Sequence, residues 1–427
     1  MSVRHQTALL LLAALAFAPV AAGAPAPMPQ VRPEEAGIAA DRLQRLHRFM
    51  DVATAADGYV GGVTLVARDG RIVDWRAHGH RDLGRSVPMA RDDIFRIYSM
   101  TKTVTSVAVL LLMEEGRLSL EDPVSRHLPA LAGLQVLAGG GADAPVLRAP
   151  ARPVTLRMLL THTAGFPAGL EGDGGAGALR DRADPHGARD LEGFVARLAQ
   201  APLAADPGTR FGYDGAATEV LARVVEVVSG QSFEAFLQSR LFAPMDMVDT
   251  GFAVPAAQRH RVVDITIMGD GGRLVLDDGP SAREPGAPLN AYASGAGGLY
   301  STAGDYARFC QMLLDGGTLS GVSILGRKTV ELMFANHLGM LDPPVTQFSD
   351  AEGFGLGGYV VVDVAARGVP GSVGTFGWAG AASTSYSIDP REKLVAILLL
   401  QHLPRSDRRD LPRLGRPFAA LVQQALE

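Results

Sequence analysis

Cysteine is almost missing from this chain: Cys310 is the only one in 427 residues. That excludes an intramolecular disulfide framework and any multi-cysteine metal site. Lysine is nearly as scarce. Lys102, Lys328 and Lys393 are all there are, and arginine supplies the rest of the 40 basic side chains set against 45 acidic ones. The formal charge of −5 is thinly spread, without a Lys/Arg run or an acidic tail. Such a chain carries no electrostatic footprint for nucleic acid and implies no charged partner. Beyond the amino terminus no stretch reaches transmembrane length without charge or Gly/Pro interruption. No serine stands in a Gly-x-Ser-x-Gly context, the strained elbow of the ordinary α/β-hydrolase fold. No repeat appears in the 20–50-residue range. What is abundant is apolar: 47% of residues against 20% charged. That excludes disorder and supplies a large core. The length fits two or three domains, or one large domain with an insertion.

The amino terminus reads as a targeting segment. Arg4 and His5 precede an apolar run, Ala8 to Val20, and small residues follow, Ala21 to Ala24. Basic head, short apolar body and small-residue exit describe a secretory signal peptide, residues 1–22, cut after Ala22. An uncleaved anchor is the alternative, but the run is short for a span. A Pro-rich tether over 23–34 then leads into a single domain, 35–425. The mature protein is expected in the periplasm or the medium, with no membrane span.

Gly62–Ala67 and Arg71–Ala77 are β-rich runs joined by Asp69-Gly70, a hairpin signal. Thr101–Glu115 predicts a helix apolar on nearly all sides, hence buried, stopped by Gly116. Segments 133–152, 164–190 and 268–298 are Gly-rich and read as loops. Helical patterns cover Leu191–Ala199, Ala217–Val228, Phe233–Leu241 and Asp305–Leu314, with Gly230 as a carboxyl-terminal cap. Gly358–Val364, Thr384–Ile388 and Leu394–Gln401 predict strands, and Phe418–Leu426 a closing helix. Strands at both ends with helices between predict a two-lobed α/β (α+β) architecture. An antiparallel sheet lobe, about 35–98 and 295–427, would carry a mostly helical insertion, about 99–294.

Ser99-Met100-Thr101-Lys102 stands at the head of the buried helix. Residues i and i+3 share a helix face, so the lysine amine can reach the serine hydroxyl. Burial penalises an ammonium and favours the neutral amine, which can accept a proton. A helix amino terminus adds free N–H groups and positive potential that favour developing negative charge. The bland reading is a capping serine and a solvated lysine, which fits poorly at the head of so apolar a helix.

Phe95-Arg96-Ile97-Tyr98-Ser99-Met100-Thr101-Lys102 resembles the active-site segment of the serine β-lactamase and penicillin-binding-protein clan. It is most similar to the class C β-lactamase-like esterases, the family VIII carboxylesterases. Glu115-Gly116-Arg117-Leu118 through Asp122-Pro123-Val124 agrees, as do Leu160-Thr161-His162-Thr163-Ala164-Gly165 and Gly297-Gly298-Leu299-Tyr300-Ser301-Thr302. The likeness runs from about residue 35 to 425 and implies the two-lobed β-lactamase/DD-peptidase-like fold. It also implies that Tyr213, in Tyr213-Asp214-Gly215, is the family's general base and acid beside Lys102. Gly215 stands where β-lactamases keep an Asn for the substrate amide. Gly377-Trp378-Ala379-Gly380-Ala381, expected to precede a strand, resembles the esterase form of the third motif. There the Ala381 N–H would join that of Ser99 in an oxyanion hole. Trp378 would be an apolar wall in place of a carboxylate-binding lysine. Tyr98, Gly215, Trp378, Ala379 and Gly380 make up the expected substrate contacts.

The resemblance implies an exported serine hydrolase of carboxylic esters, acting through an acyl-enzyme, with a small-molecule ester as partner and no metal or organic cofactor. A β-lactamase or D-alanyl peptidase is the nearest alternative. A non-catalytic periplasmic binding protein is another, since the second motif has decayed. His78-Gly79-His80-Arg81-Asp82 resembles the start of a metallo-hydrolase zinc site but lacks the next His, and His127 and His162 have no geometric claim on a metal. His162 is expected to be a structural hydrogen-bonding residue and Cys310 a core residue. None of these motifs sets an oligomeric state.

Overall fold

The computed structural model describes residues 26–170, 172–405 and 408–427. The expected signal segment and the first residues of the tether lie outside the described residues. Seven antiparallel strands form the main sheet, in the order Glu352–Phe354, Tyr359–Val361, Phe376–Ala379, Ser385–Asp389, Leu394–Leu400, Gly61–Arg68 and Arg71–Gly79. The first hairpin therefore completes a sheet begun by the last third of the chain, as the strand pattern predicts. Asp69 and Gly70 both take positive φ, 50° and 73°, the twist a two-residue hairpin turn needs.

Leu394–Leu400 is buried along its whole length, so both sheet faces are covered. Side chains alternate across a strand. Val395, Ile397 and Leu399 enter the large core that includes the helix Ala303–Leu314. Leu394, Ala396, Leu398 and Leu400 enter a smaller one under the helices Ala40–Ala53 and Gly415–Gln423. Thr101–Glu114 is buried on every side through its first three turns and packs on Ala216–Ser229. Gly116 and Gly230 follow these two helices with φ of 69° and 74°, conformations that glycine adopts without steric cost.

Several expectations need correction. Ala40–Ala53 was not foreseen, although Leu43, Leu46, His47 and Met50 bury one face at helical spacing. Residues 133–152 are not all loop: Val136–Gly139 pairs with Val146–Arg148. Likewise 164–190 contains the helix Ala176–Ala183, and Leu274–Leu276 pairs with Thr266–Met268. Val146–Arg148, Ala176–Ala183 and Leu274–Leu276 lie largely at the surface, where few buried side chains impose an apolar period. Phe233–Leu241 divides into an α-turn, Phe233–Leu237, and a π-helical stretch, Gln238–Phe242. The third motif does precede a strand, Ser385–Asp389, but its Gly377, Trp378 and Ala379 also lie inside one of their own, Phe376–Ala379. Among the described residues no helix is long and apolar enough to cross a membrane.

Candidate active site

Ser99 is half-buried on a single 3-10 turn, Tyr98–Met100, that runs straight into the helix Thr101–Glu114. The entry is tightly fixed. Tyr98 is held at φ 43°, a region that non-glycine residues rarely adopt and that often marks a functional site. Just before it, the buried Arg96 donates to the Tyr300 hydroxyl and the Ala287 carbonyl, both at 2.6 Å. The Ile97 N–H donates to Leu299 O at 3.0 Å, and Thr101 Oγ1 accepts from the Leu299 N–H at 3.2 Å. The Gly297–Thr302 segment thus backs the serine turn.

One helical turn on, Lys102 Nζ donates to Ser99 Oγ at 3.2 Å and to the Ala296 carbonyl at 2.8 Å. Lys102 is buried, which makes the solvated-lysine reading wrong. Its nitrogen lies 5.0 Å from the centre of the Tyr213 ring. Tyr213 is half-buried; its hydroxyl accepts from Trp378 Nε1 at 3.2 Å, and its ring packs 5.0 Å from the indole. Ser99, Lys102, Tyr213 and Trp378, drawn from distant parts of the chain, are therefore brought together.

The Tyr213 neighbours explain the altered second motif. Asp214 is buried, and its Oδ1 accepts from the Ala217 N–H at 2.7 Å, capping the helix Ala216–Ser229. Its other oxygen faces His162 Nδ1 at 3.4 Å. His162 lies under the phenol, ring centres 4.7 Å apart, and burial lowers its pKa. It packs as a structural residue rather than facing the serine. A Cβ on Gly215 would rest 3.7 Å from Ala296 Cβ, so this position leaves the space beside Lys102 unfilled by a side chain.

Trp378 is buried, Ala379 exposed and Gly380 buried at the end of Phe376–Ala379. A Cβ on Gly380 would fall 2.2 Å from Thr384 Oγ1 and 2.4 Å from the Ile97 carbonyl. Glycine is what lets this strand end dock on the serine turn. Ala381 follows, exposed.

Several residues at the site were not foreseen. Phe348, 53% exposed, sets its ring 5.8 Å from Tyr213 and 6.2 Å from Trp378. Beside it, Gln347 accepts from the Tyr213 N–H at 3.3 Å. Glu219 is fully buried behind Lys102. Its carboxylate accepts from the Ser294 hydroxyl and, at 2.9 Å, from the Gly295 N–H. Burial pushes its pKa up to about 7. A lone acid within the apolar run Ala216–Val225 was the available signal.

His78, weighed as a zinc ligand, and His127 are engaged elsewhere. His78 faces Thr64 Oγ1 at 3.2 Å and Asp51 at 3.5 Å, and His127 pairs with Asp122 at 3.0 Å. Among the described residues no three metal-ligating side chains converge. Cys310 is core, and burial raises its thiol pKa.

The family model described as Beta-lactamase matches residues 46–420. Protein Rv1367c of Mycobacterium tuberculosis is 36% identical over 81% of this chain and 86% of its own. Esterase EstB of Burkholderia gladioli is 32% identical over 84% of this chain and 91% of its own. Among solved structures, EstCE1, described as a hydrolase with promiscuous acyltransferase activity, superposes with a TM-score of 0.72 at 25% identity. The superposition covers 90% of this chain and 98% of that one. With a hydroxyl, an amine and a phenol brought together at the head of a buried helix, the chain belongs to the β-lactamase family and is one of its esterase-like serine hydrolases.

Proposed function

We propose that the protein hydrolyses carboxylic esters through an acyl-enzyme on Ser99. The observation that carries this is Lys102 Nζ, held between Ser99 Oγ and a backbone carbonyl with the Tyr213 ring alongside. Ser99 Oγ attacks the ester carbonyl carbon, and its single proton is taken up by the Lys102–Tyr213 pair, relayed between amine and phenol. The oxyanion is met by the backbone N–H groups of Ser99 and Ala381. Collapse breaks the acyl–oxygen bond, and Tyr213 gives the proton to the departing alkoxide. Water, deprotonated by the same pair, then releases the acid and regenerates Ser99. No step calls for a metal or an organic cofactor.

Trp378, Tyr213 and the exposed Phe348 form an aromatic wall that suits an apolar acyl or alcohol group. The name Esterase EstB supports ester chemistry, and the description of EstCE1 as a hydrolase with acyltransferase activity supports an acyl-enzyme. Gly215 and the lack of a lysine in the third motif count against β-lactam recognition. Nitrocefin turnover approaching ester turnover would favour that reading instead. Export rests on residues 1–22; a secreted form beginning at Gly23 is the expected product.

The test is Ser99→Ala with short p-nitrophenyl esters. Turnover should vanish, and intact mass should show an acyl adduct on the wild-type protein alone. Near-wild-type rates in the variant refute the assignment. A wild-type protein that binds esters but forms no adduct and does not turn over points to the binding-protein alternative.

A further inference from the structure

Lys102 is oriented by the Ala296 carbonyl, and that carbonyl is not left to a free loop. Its neighbour Gly295 has both backbone polar groups fixed by side chains. The Gly295 N–H donates to Glu219 at 2.9 Å, and the Gly295 carbonyl accepts from Thr105 Oγ1 at 2.8 Å. Glu219 comes from the helix Ala216–Ser229, which begins just after Tyr213; Thr105 comes from the helix that carries Lys102. A Cβ on Gly295 would fall 2.8 Å from Ala222 Cβ and 3.0 Å from the Thr218 carbonyl, so the turn is wedged between the two helices. Ser294 closes the set by donating its hydroxyl to the same carboxylate. A buried carboxyl is costly to keep, and the reaction scheme above gives Glu219 no part.

We propose that Glu219 is a positioning residue: through the Ser294–Ala296 turn it holds the carbonyl that aims Lys102 at Ser99. This inference rests on the Ser99 acyl-enzyme reading. A shift in the turn would let the amine drift from the hydroxyl while leaving the substrate surface of Trp378 and Phe348 in place. The cost therefore falls on kcat, with KM little changed.

The test compares Glu219→Gln, Glu219→Asp and Glu219→Ala in the full mature chain. Glutamine can keep both bonds, its oxygen accepting from the Gly295 N–H and its amide donating to the Ser294 oxygen. Aspartate is one methylene short. The expected result is kcat within threefold of wild type for Gln, a loss of about tenfold or more for Asp and Ala, and KM within twofold throughout. The burst of acyl-enzyme should slow in parallel. Wild-type kcat in Glu219→Ala overturns the proposal, and so does a Gln variant as slow as Ala. Should the Ala and Asp variants fail to fold, Thr105→Val carries the test: it removes one hydroxyl from the same turn and should lower kcat by about fivefold with KM unchanged, and wild-type kcat overturns the proposal. Ser99→Ala runs alongside. An active Ser99→Ala sinks the underlying reading, whereas an inert Ser99→Ala beside a fully active Glu219→Ala sinks this inference alone.

Discussion

Trp378 Nε1 donates to the Tyr213 hydroxyl oxygen at 3.2 Å, so the indole that walls the site also holds the phenol in place. The bond occupies a lone pair and leaves the phenol proton free to point elsewhere. Trp378→Phe keeps an aromatic ring and removes the donor. A neutral hydrogen bond contributes about 0.5–1.5 kcal/mol, so kcat should fall about threefold to tenfold. On the proposed mechanism Tyr213→Phe deletes the group that moves the proton and should cost about a hundredfold or more. Steady-state rates on one p-nitrophenyl ester check both. Equal losses in the two variants would contradict the division of roles.

Gly380 is the contact point between the third-motif strand and the serine turn. Gly380→Ala would thrust a methyl against Thr384 Oγ1 and the Ile97 carbonyl, and neither the backbone nor the buried threonine can retreat easily. Overpacking of this kind costs about 1–3 kcal/mol. A lowered melting temperature and a loss of activity larger than the loss of folded protein are expected. Thermal melts beside active-site titration check this.

Phe348 is the exposed member of the aromatic wall. Phe348→Ala should leave acetyl esters nearly unaffected and raise KM several-fold for esters with large apolar groups. Burying a large apolar side chain is worth about 1.5–3 kcal/mol, and a substrate would recover only part of it here. A series of graded chain lengths checks the trend. A uniform loss across the series would remove Phe348 from substrate contact.

Glu219 carries a pH dependence of stability. Burial raises its pKa from 4.5 to about 7, so the folded state keeps a proton that the unfolded chain releases. Its stabilisation is complete below about pH 4.5 and is lost as pH rises through about 7. Lys102, which lowers the Glu219 pKa, and Tyr292, whose own phenol is pushed up by burial and then by Glu219, are the charged or titratable groups around it. Glu219→Gln cannot ionise. The melting temperature of wild type relative to this variant should therefore decline from pH 4.5 to pH 8. Parallel melting curves across that range would contradict the burial argument.

Five of the seven sheet strands were legible in the sequence as runs of β-formers, whereas Glu352–Phe354 and Phe376–Ala379, each no longer than four residues and interrupted by a glycine, were not. Leu394–Leu400 is a continuous apolar run, and Asp69-Gly70 announces the hairpin through backbone geometry. The buried helix was legible as an apolar run too, and with it the pairing of Ser99 and Lys102, which follows from helical spacing alone. Elements such as Val146–Arg148 and Ala176–Ala183 were not legible, because little of their surface is buried. Tyr213 and Trp378 could be reached only through resemblance, since no local period connects residues so distant in the chain. Glu219, Phe348 and Thr105 matter through contacts with remote segments, and such contacts leave no spacing to read.

Leu394–Leu400 is the partner of Gly61–Arg68, and the helix Gly415–Gln423 packs on Ala40–Ala53. Pairings of such long range form late and slowly. While the chain emerges from the ribosome, the first hairpin must wait, with one edge open, for a strand made near the end of synthesis. An open edge invites pairing with other chains. Aggregation during production should therefore begin at Gly61–Arg68, and a chain cut short before residue 394 should collect as insoluble material rather than as a smaller folded enzyme.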